Sequence, residues 1–343
     1  MSNVASLQDN PILGEIVSMD RRLHQLTTLD TDARDALALE LFHDQAQHVP
    51  VYRHYLDLVG ADVSGVETVE DIPHLPIDLF KTGSVVRANA EPDRWFRSSG
   101  TSGDRSIHVI TDLGWYEAVS RAAFEHLMGP LSRTRILSLL PGYIDNPDSS
   151  LIHMVEHFKQ RGAHGGQSLT VSEAADLLRS GGWERSDGGP VLLIGVSFAL
   201  LDLAERGPFD ADGLTVVETG GMKGRRRELT RGELHARLCA GLGVEAIASE
   251  YGMTELQSQA WSMRDGVFRT PPWMRVDARP VNEPFSRCTP GQPGQLLITD
   301  LANVDSCAFI ETSDLGRVGA DGCFEVIGRL DHADVRGCNL LYA

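Results

Sequence analysis

The sequence predicts an α/β fold, and three observations carry that expectation. From Arg135 onward, apolar runs of strand length alternate with helical segments. Two capping boxes, Thr170 with Glu173 and Thr230 with Glu233, mark helix starts between those runs. The 343 residues are 42% hydrophobic and 23% charged, the balance of a globular chain with a sizeable core.

The elements follow in order. Residues 1–90 read as mainly helical, with Thr31 or Asp32 expected to cap a segment whose Leu37, Leu41 and Phe42 share one face. Strands are expected at Ile107 to Ile110, Ile136 to Leu140, Val191 to Ile194, Leu214 to Val217, Val244 to Ala248 and Leu296 to Ile298. The Pro- and Gly-rich stretch from Thr270 to Gly294 reads as a loop system before a smaller β portion. The expected organisation is a helical segment over residues 1–90, an α/β core over 91–300, and a small β-rich portion with a mobile tail over 301–343.

Composition narrows the function. A net charge of −17 argues against a basic face for nucleic acid, because phosphate contacts need clustered Lys and Arg. The lysines are Lys81, Lys159 and Lys223, so most positive charge is arginine, suited to bidentate grip of carboxylate or phosphate. The start of the chain lacks a signal-peptide pattern and no run has the length of a membrane span, so a cytoplasmic protein without a membrane span is expected. Five scattered cysteines without a Cys-x-x-Cys pair suggest reduced thiols, with Cys239, Cys307 and Cys323 read as small buried hydrophobes.

Four motifs carry chemistry. Ser98, Ser99, Gly100, Thr101, Ser102 and Gly103 form a hydroxyl- and glycine-rich loop between Arg97 and Arg105; such a loop can turn backbone N–H groups and hydroxyls toward a polyphosphate. It lacks the Gly-Lys-Ser/Thr close of a Walker loop and equally suits a hairpin turn. Tyr251, Gly252, Thr254 and Glu255 follow an apolar strand, where an aromatic ring, a hydroxyl and a carboxylate can meet a base, a phosphate and Mg²⁺, or simply form a capped turn. Asp314, within Thr312-Ser313-Asp314, can accept two ribose hydroxyls or form an Asx turn, and Gly328-Arg329 comes next.

The order of these four motifs resembles the adenylate-forming enzymes, which include acyl-CoA synthetases. With Leu140-Pro141-Gly142-Tyr143, Gly195-Val196-Ser197-Phe198, Glu218-Thr219-Gly220-Gly221-Met222-Lys223-Gly224-Arg225 and Arg336-Gly337-Cys338, the chain from about Leu75 onward resembles the LuxE-type acyl-protein synthetases, the ligase component of fatty acid reductases. The resemblance implies the large α/β domain of an adenylate-forming enzyme, with stacked mixed sheets, and ATP and Mg²⁺ as cofactors. By position, residues 98–103 would hold the β- and γ-phosphates, Tyr251 would lie against adenine, Thr254 would bond the α-phosphate, Glu255 would hold Mg²⁺, and Asp314 with Arg329 would take the ribose. Cys338 would accept the acyl group of a carboxylic, by family a fatty, acid and pass it to a protein partner such as an acyl reductase.

The sequence stops soon after Gly328-Arg329, where the wider superfamily continues into a lid domain with a catalytic lysine. Self-acylation on Cys338 is therefore favoured over coenzyme A ligation. Nine residues from Arg329 to Cys338 span up to ~30 Å, so reach is no obstacle. Lys223 or Arg225 is a candidate for the lid lysine's role, against a solvated basic turn. Beside Arg336, Cys338 would be favoured as thiolate.

Other readings stand beside this one. An acyl-CoA ligase or acyltransferase would pass the adenylate to an external nucleophile, and a non-catalytic nucleotide-binding subunit would need neither Glu255 nor Cys338. From a different class, Gly195-Val196-Ser197-Phe198-Ala199 nearly matches the nucleophile elbow of an α/β-hydrolase, which would use Ser197 with a histidine such as His332.

Overall fold

The computed structural model describes residues 18–99, 105–141, 147–220, 229–283 and 286–330. Lys223, Arg225, Cys338 and the loop residues Gly100, Thr101, Ser102 and Gly103 lie outside them. The first third is helical, with α1 (Met19–Thr27), α2 (Thr31–His48) and α3 (Pro50–Leu58), followed by β1 (Leu75–Pro76), α4 (Leu79–Thr82), β2 (Arg94–Arg97), β3 (Ile107–Ile110) and α5 (Leu113–Met128). The middle alternates: β4 (Arg135–Leu139), α6 (Ser150–Arg161), β5 (Gln167–Ser168), α7 (Val171–Arg179), β6 (Val191–Val196), α8 (Ser197–Ala204), β7 (Thr215–Thr219), α9 (Arg231–Leu242) and β8 (Ile247–Tyr251). Strands then dominate, with β9 (Ala260–Ser262), β10 (Val267–Phe268), β11 (Met274–Arg279), β12 (Pro293–Asp300), β13 (Phe309–Val318) and β14 (Phe324–Arg329).

The chain forms two compact units. One comprises residues 1–119, 254–258 and 270–343, the other 120–253 and 259–269. In the first, β14, β13, β12 and β11 run antiparallel in that order, and β1 pairs parallel with β13. Its core joins Phe42 and Tyr52 of the helices to Phe309 of β13, with ring centroids 6.1 to 6.2 Å apart. Buried Gln45 ties α2 to the loop before β13. Its amide donates to the carbonyls of Asn303 (2.8 Å) and Val304 (3.1 Å), and its oxygen accepts from the Ala308 N–H. In the second unit, β5, β4, β6, β7 and β8 are parallel in that order, and β9 closes the edge antiparallel to β8. Strand β6 is buried at every position, as expected of a parallel strand covered on both faces.

Both capping boxes form, with the Thr and Glu side chains each bonded to the other's backbone N–H. Three local expectations are corrected. The cap of α2 is Asp30, whose carboxylate accepts from Ala33 N–H at 2.8 Å, one residue before Thr31 and two before Asp32. Strand β8 starts at Ile247 rather than Val244, because Gly243 (φ 72°) ends α9 in the left-handed region and the chain needs three further residues to enter the sheet. Ser249, Glu250 and Tyr251 are thus inside the strand. Of the cysteines read as buried, Cys307 is, with its thiol pushed up to about 12 by burial, while Cys239 and Cys323 are half-buried. Among the described residues no helix is long and apolar enough to cross a membrane.

Thr230→Ala removes the hydroxyl that accepts from Glu233 N–H and should lower stability by about 1 kcal/mol, read from the midpoint of urea unfolding.

Candidate active site

The first unit gathers several of the motif residues. Strands β2 and β3 form a hairpin whose ends are clamped: Ser98 N–H donates to Ser106 O, and Ser106 N–H donates to Ser98 Oγ, both at 3.1 Å. This fixes the base of the hydroxyl–glycine loop, and Ser99 at its entry is exposed. Glu255 is 4% exposed, and burial raises its carboxyl above the ordinary range, opposed by a hydrogen bond from Ser106 and by the positive charges of Arg329 and Lys81.

The stretch 254–258 has no helix or strand to satisfy its backbone, so neighbouring side chains do so. His108 Nδ1 lies 2.9 Å from Thr254 O, Asn303 Nδ2 donates to Glu255 O at 3.0 Å, and Asp300 accepts from the N–H groups of Gln257 and Ser258, each at 2.9 Å. Burial pushes His108 down to about 4, so its ring is neutral at pH 7, despite the bonds to Thr254 and Asn303 that favour the charged form.

Asp314 lies inside β13 rather than at a turn, which corrects the expectation of an isolated Ser-Asp turn. Pairing with β14 overrides the local preference of Asp for an Asx turn. That pairing sets Asp314 opposite Arg329, with Nε 3.9 Å from Oδ1. Arg329 is exposed, so this contact fixes little by itself.

The second unit holds Tyr251 and Gly252. Tyr251 ends β8 with its ring 5.7 Å from that of Phe268, and the Arg231 guanidinium lies 5.0 Å over Phe268. On the same face, buried Glu218 draws three neighbours together. Ser197 Oγ stands 3.1 Å from Glu218 Oε2 and 2.7 Å from Gly220 O, while Arg231 Nε and His235 Nε2 lie 3.5 and 3.6 Å from Glu218 Oε1. Glu250 points to the opposite face, where Thr219 Oγ1 donates to its Oε2 at 2.5 Å. Desolvation pushes the Glu250 carboxyl up to about 7; the Thr219 bond lowers it and the Glu218 charge raises it.

The hydrolase expectation is corrected here. An elbow serine sits on a strained turn with a histidine in reach. Ser197 instead opens α8 after an extended Val196 (φ −74°, ψ 145°), and the described non-glycine residues with positive φ are Asn89 and Asp265. Its hydroxyl is taken by a carboxylate and a carbonyl, and His332 lies outside the described residues.

Sequence reasoning, which carried the hydroxyl–glycine motif through Ser106, assigned no role to His108, Asp300, Asn303 or Lys81. Each is a lone residue of common type, and only Lys81 carried a signal, as one of three lysines.

The fold is that of the large domain of the adenylate-forming enzymes. A structure of 2-hydroxyisobutyryl-CoA ligase in the postadenylation state, in complex with R3-HIB-AMP, matches at TM-score 0.64 and 14% identity, over 90% of this chain and 70% of the other. Another state of that ligase matches at TM-score 0.61 and 15% identity, over 90% and 78%. ATP-bound MatB from Rhodopseudomonas palustris matches at TM-score 0.52 and 14% identity, over 71% of this chain and 49% of its own, so the chain spans about half of MatB. More particularly, residues 16–129 match the family model "Acyl-protein synthetase, LuxE", the family the motifs resemble; of those motifs only the hydroxyl–glycine loop lies in the matched stretch, which also takes in residues before Leu75. No curated protein matches the chain.

The raised Glu250 carboxyl gives a pH signature. Because the folded value of about 7 lies above the ordinary 4.5, the native state loses stability as pH rises between them, relative to a chain without that group. Glu250→Gln should therefore gain on the wild type from about pH 5 to about pH 8. Thermal melts at the two pH values check this, and a constant difference would sink it.

Proposed function

We propose that the protein activates a carboxylic acid with ATP and then takes the acyl group onto its own Cys338 as a thioester. The observation that carries this reading is the placing of Glu255, buried beside Ser106 at the base of the hydroxyl–glycine loop, in the same unit as the Asp314–Arg329 pair. The LuxE match and the fold of the adenylate-forming enzymes support an AMP-forming ligase.

In the first step a substrate carboxylate oxygen attacks the α-phosphorus, the new acyl–phosphate bond forms, and the α–β phosphoanhydride bond breaks to release pyrophosphate. Ser98, Ser99, Gly100, Thr101, Ser102 and Gly103 hold the β- and γ-phosphates through hydroxyls and backbone N–H groups. Thr254 bonds the α-phosphate, Tyr251 and Gly252 lie along the base, and Asp314 with Arg329 takes the ribose. Lys223 or Arg225 faces the developing charge. Glu255, a hard oxygen donor buried near phosphate-binding groups, fits Mg²⁺, which commonly binds through one carboxylate plus substrate phosphates. Bound there, Mg²⁺ would offset phosphate charge. In the second step the Cys338 thiolate attacks the acyl carbonyl, the C–S bond forms, and AMP leaves. The acyl group, a fatty one if the family is followed, passes to a protein partner such as an acyl reductase. This reading places the protein in the cytoplasm.

Intact-protein mass after incubation with ATP, Mg²⁺ and mixed carboxylic acids tests the reading. A hydroxylamine-sensitive adduct is expected on the wild type and on neither Cys338→Ser nor Glu255→Ala. Pyrophosphate release without an adduct would move the acceptor outside the chain, to coenzyme A or another nucleophile; no release at all would overturn adenylation.

A further inference from the structure

The face of the second unit that carries Glu250 holds polar atoms the mechanism above does not use. Pairing across the ends of β7, β8 and β9 sets Thr219 beside Glu250 and Glu250 beside Trp261. Gln259 stands just before β9, two residues from Trp261. Gln259 is 4% exposed and Trp261 is 1% exposed, yet Gln259 Oε1 and Trp261 Nε1 have no hydrogen-bond partner among the described residues. The phenylalanine rings around this face add none: Phe124 meets the Trp261 ring edge to face at 5.3 Å.

Gly252 draws the group together. A Cβ added there would come within 2.3 Å of Glu250 Oε1 and 3.1 Å of Gln259 Cγ, so both side chains converge over its bare backbone. Glu250 itself is only partly buried and stands near the carboxyl end of β8, the end of such parallel strands at which ligands bind.

We propose that Gln259, Trp261 and Glu250 receive a hydroxyl group of the activated acid, so that the substrate is a hydroxylated carboxylic acid rather than a plain hydrocarbon one. The chemistry of the two unpartnered atoms selects this group. Gln259 Oε1 needs a donor and the Trp261 N–H needs an acceptor, and a hydroxyl supplies both at once. An ammonium supplies donors alone and leaves the indole N–H unmet. A hydrocarbon chain meets neither, and buried polar groups left without partners discriminate strongly against such a ligand. The inference rests on the adenylation reading above, because it assigns this face to the acid of that reaction.

The test uses the full chain with ATP and measures acid-dependent pyrophosphate release for butanoate, octanoate and benzoate beside their hydroxy and amino derivatives. At least one hydroxy acid is expected to exceed its unsubstituted parent about tenfold or more in kcat/KM. Trp261→Phe and Gln259→Leu are expected to narrow that ratio toward one. The wild-type panel decides the matter even where a variant folds poorly, and circular dichroism melts identify such a variant. Parents used as well as their hydroxy acids would overturn the proposal while leaving adenylation standing, and would assign the two atoms to buried water. A preference for the amino acids would overturn it as well. Release with none of the acids would remove the adenylation reading and this inference with it.

Discussion

The five residues from Thr254 to Ser258 carry a proposed metal ligand but no secondary structure, and what holds them is the carboxylate of Asp300. Fully buried at the end of β12, it accepts from Gln257 N–H and Ser258 N–H at 2.9 Å, from Ser258 Oγ at 2.7 Å and from Ala302 N–H at 3.2 Å. Burial alone raises its carboxyl, and these bonds work against that rise. Ser258 Oγ also accepts from Trp273 Nε1 at 2.8 Å, so the segment is fastened to the core by an aromatic ring as well. Remove the carboxylate and three backbone donors, those of Gln257, Ser258 and Ala302, are stranded in a dry interior, a cost of roughly 1–3 kcal/mol each.

Around that anchor, neutral and acidic groups do the positioning while arginines serve mainly in structural pairs. Arg279 grips Glu311 with two hydrogen bonds of 2.8 and 2.9 Å, and Arg275 is shared between Glu70 and Asp277. The groups nearest the proposed chemistry include carboxyls held above their ordinary range, Glu250 and Glu255. Such groups cost stability where they sit, and a raised carboxyl at a strand end or in a loop without regular structure is the pattern expected of a functional region.

Much of this was legible in the sequence for a physical reason: strands, helix starts and motif strings are local. Thr170 and Thr230 cap as read because each box needs only its own four residues. The strand before Tyr251 began later than read, since the apolar run from Val244 includes residues that merely leave a helix cap. The place of Asp314 inside β13 is not legible locally, because its turn preference is local whereas its partner Arg329 lies across a sheet. Asp300, Asn303 and His108 left no trace, because what makes them important is the unsatisfied backbone of residues far away in the chain. The same holds for Gln259 and Trp261, whose lack of partners is a property of the folded interior.

The string Thr312-Ser313-Asp314-Leu315-Gly316 spans a register shift of β13 against its neighbours. A side chain at Gly316 would place its Cβ 2.4 Å from Glu325 O and 2.7 Å from Leu296 Cδ2, so the glycine is what lets β14 lie down beside β13. One motif thus answers to two masters. On the proposed ribose contact, alleles altered at Asp314 would yield abundant but inert protein, whereas alleles altered at Gly316 would act through the amount of folded chain and grow worse with temperature. A geneticist mapping lesions along those five codons would find two phenotypes two residues apart.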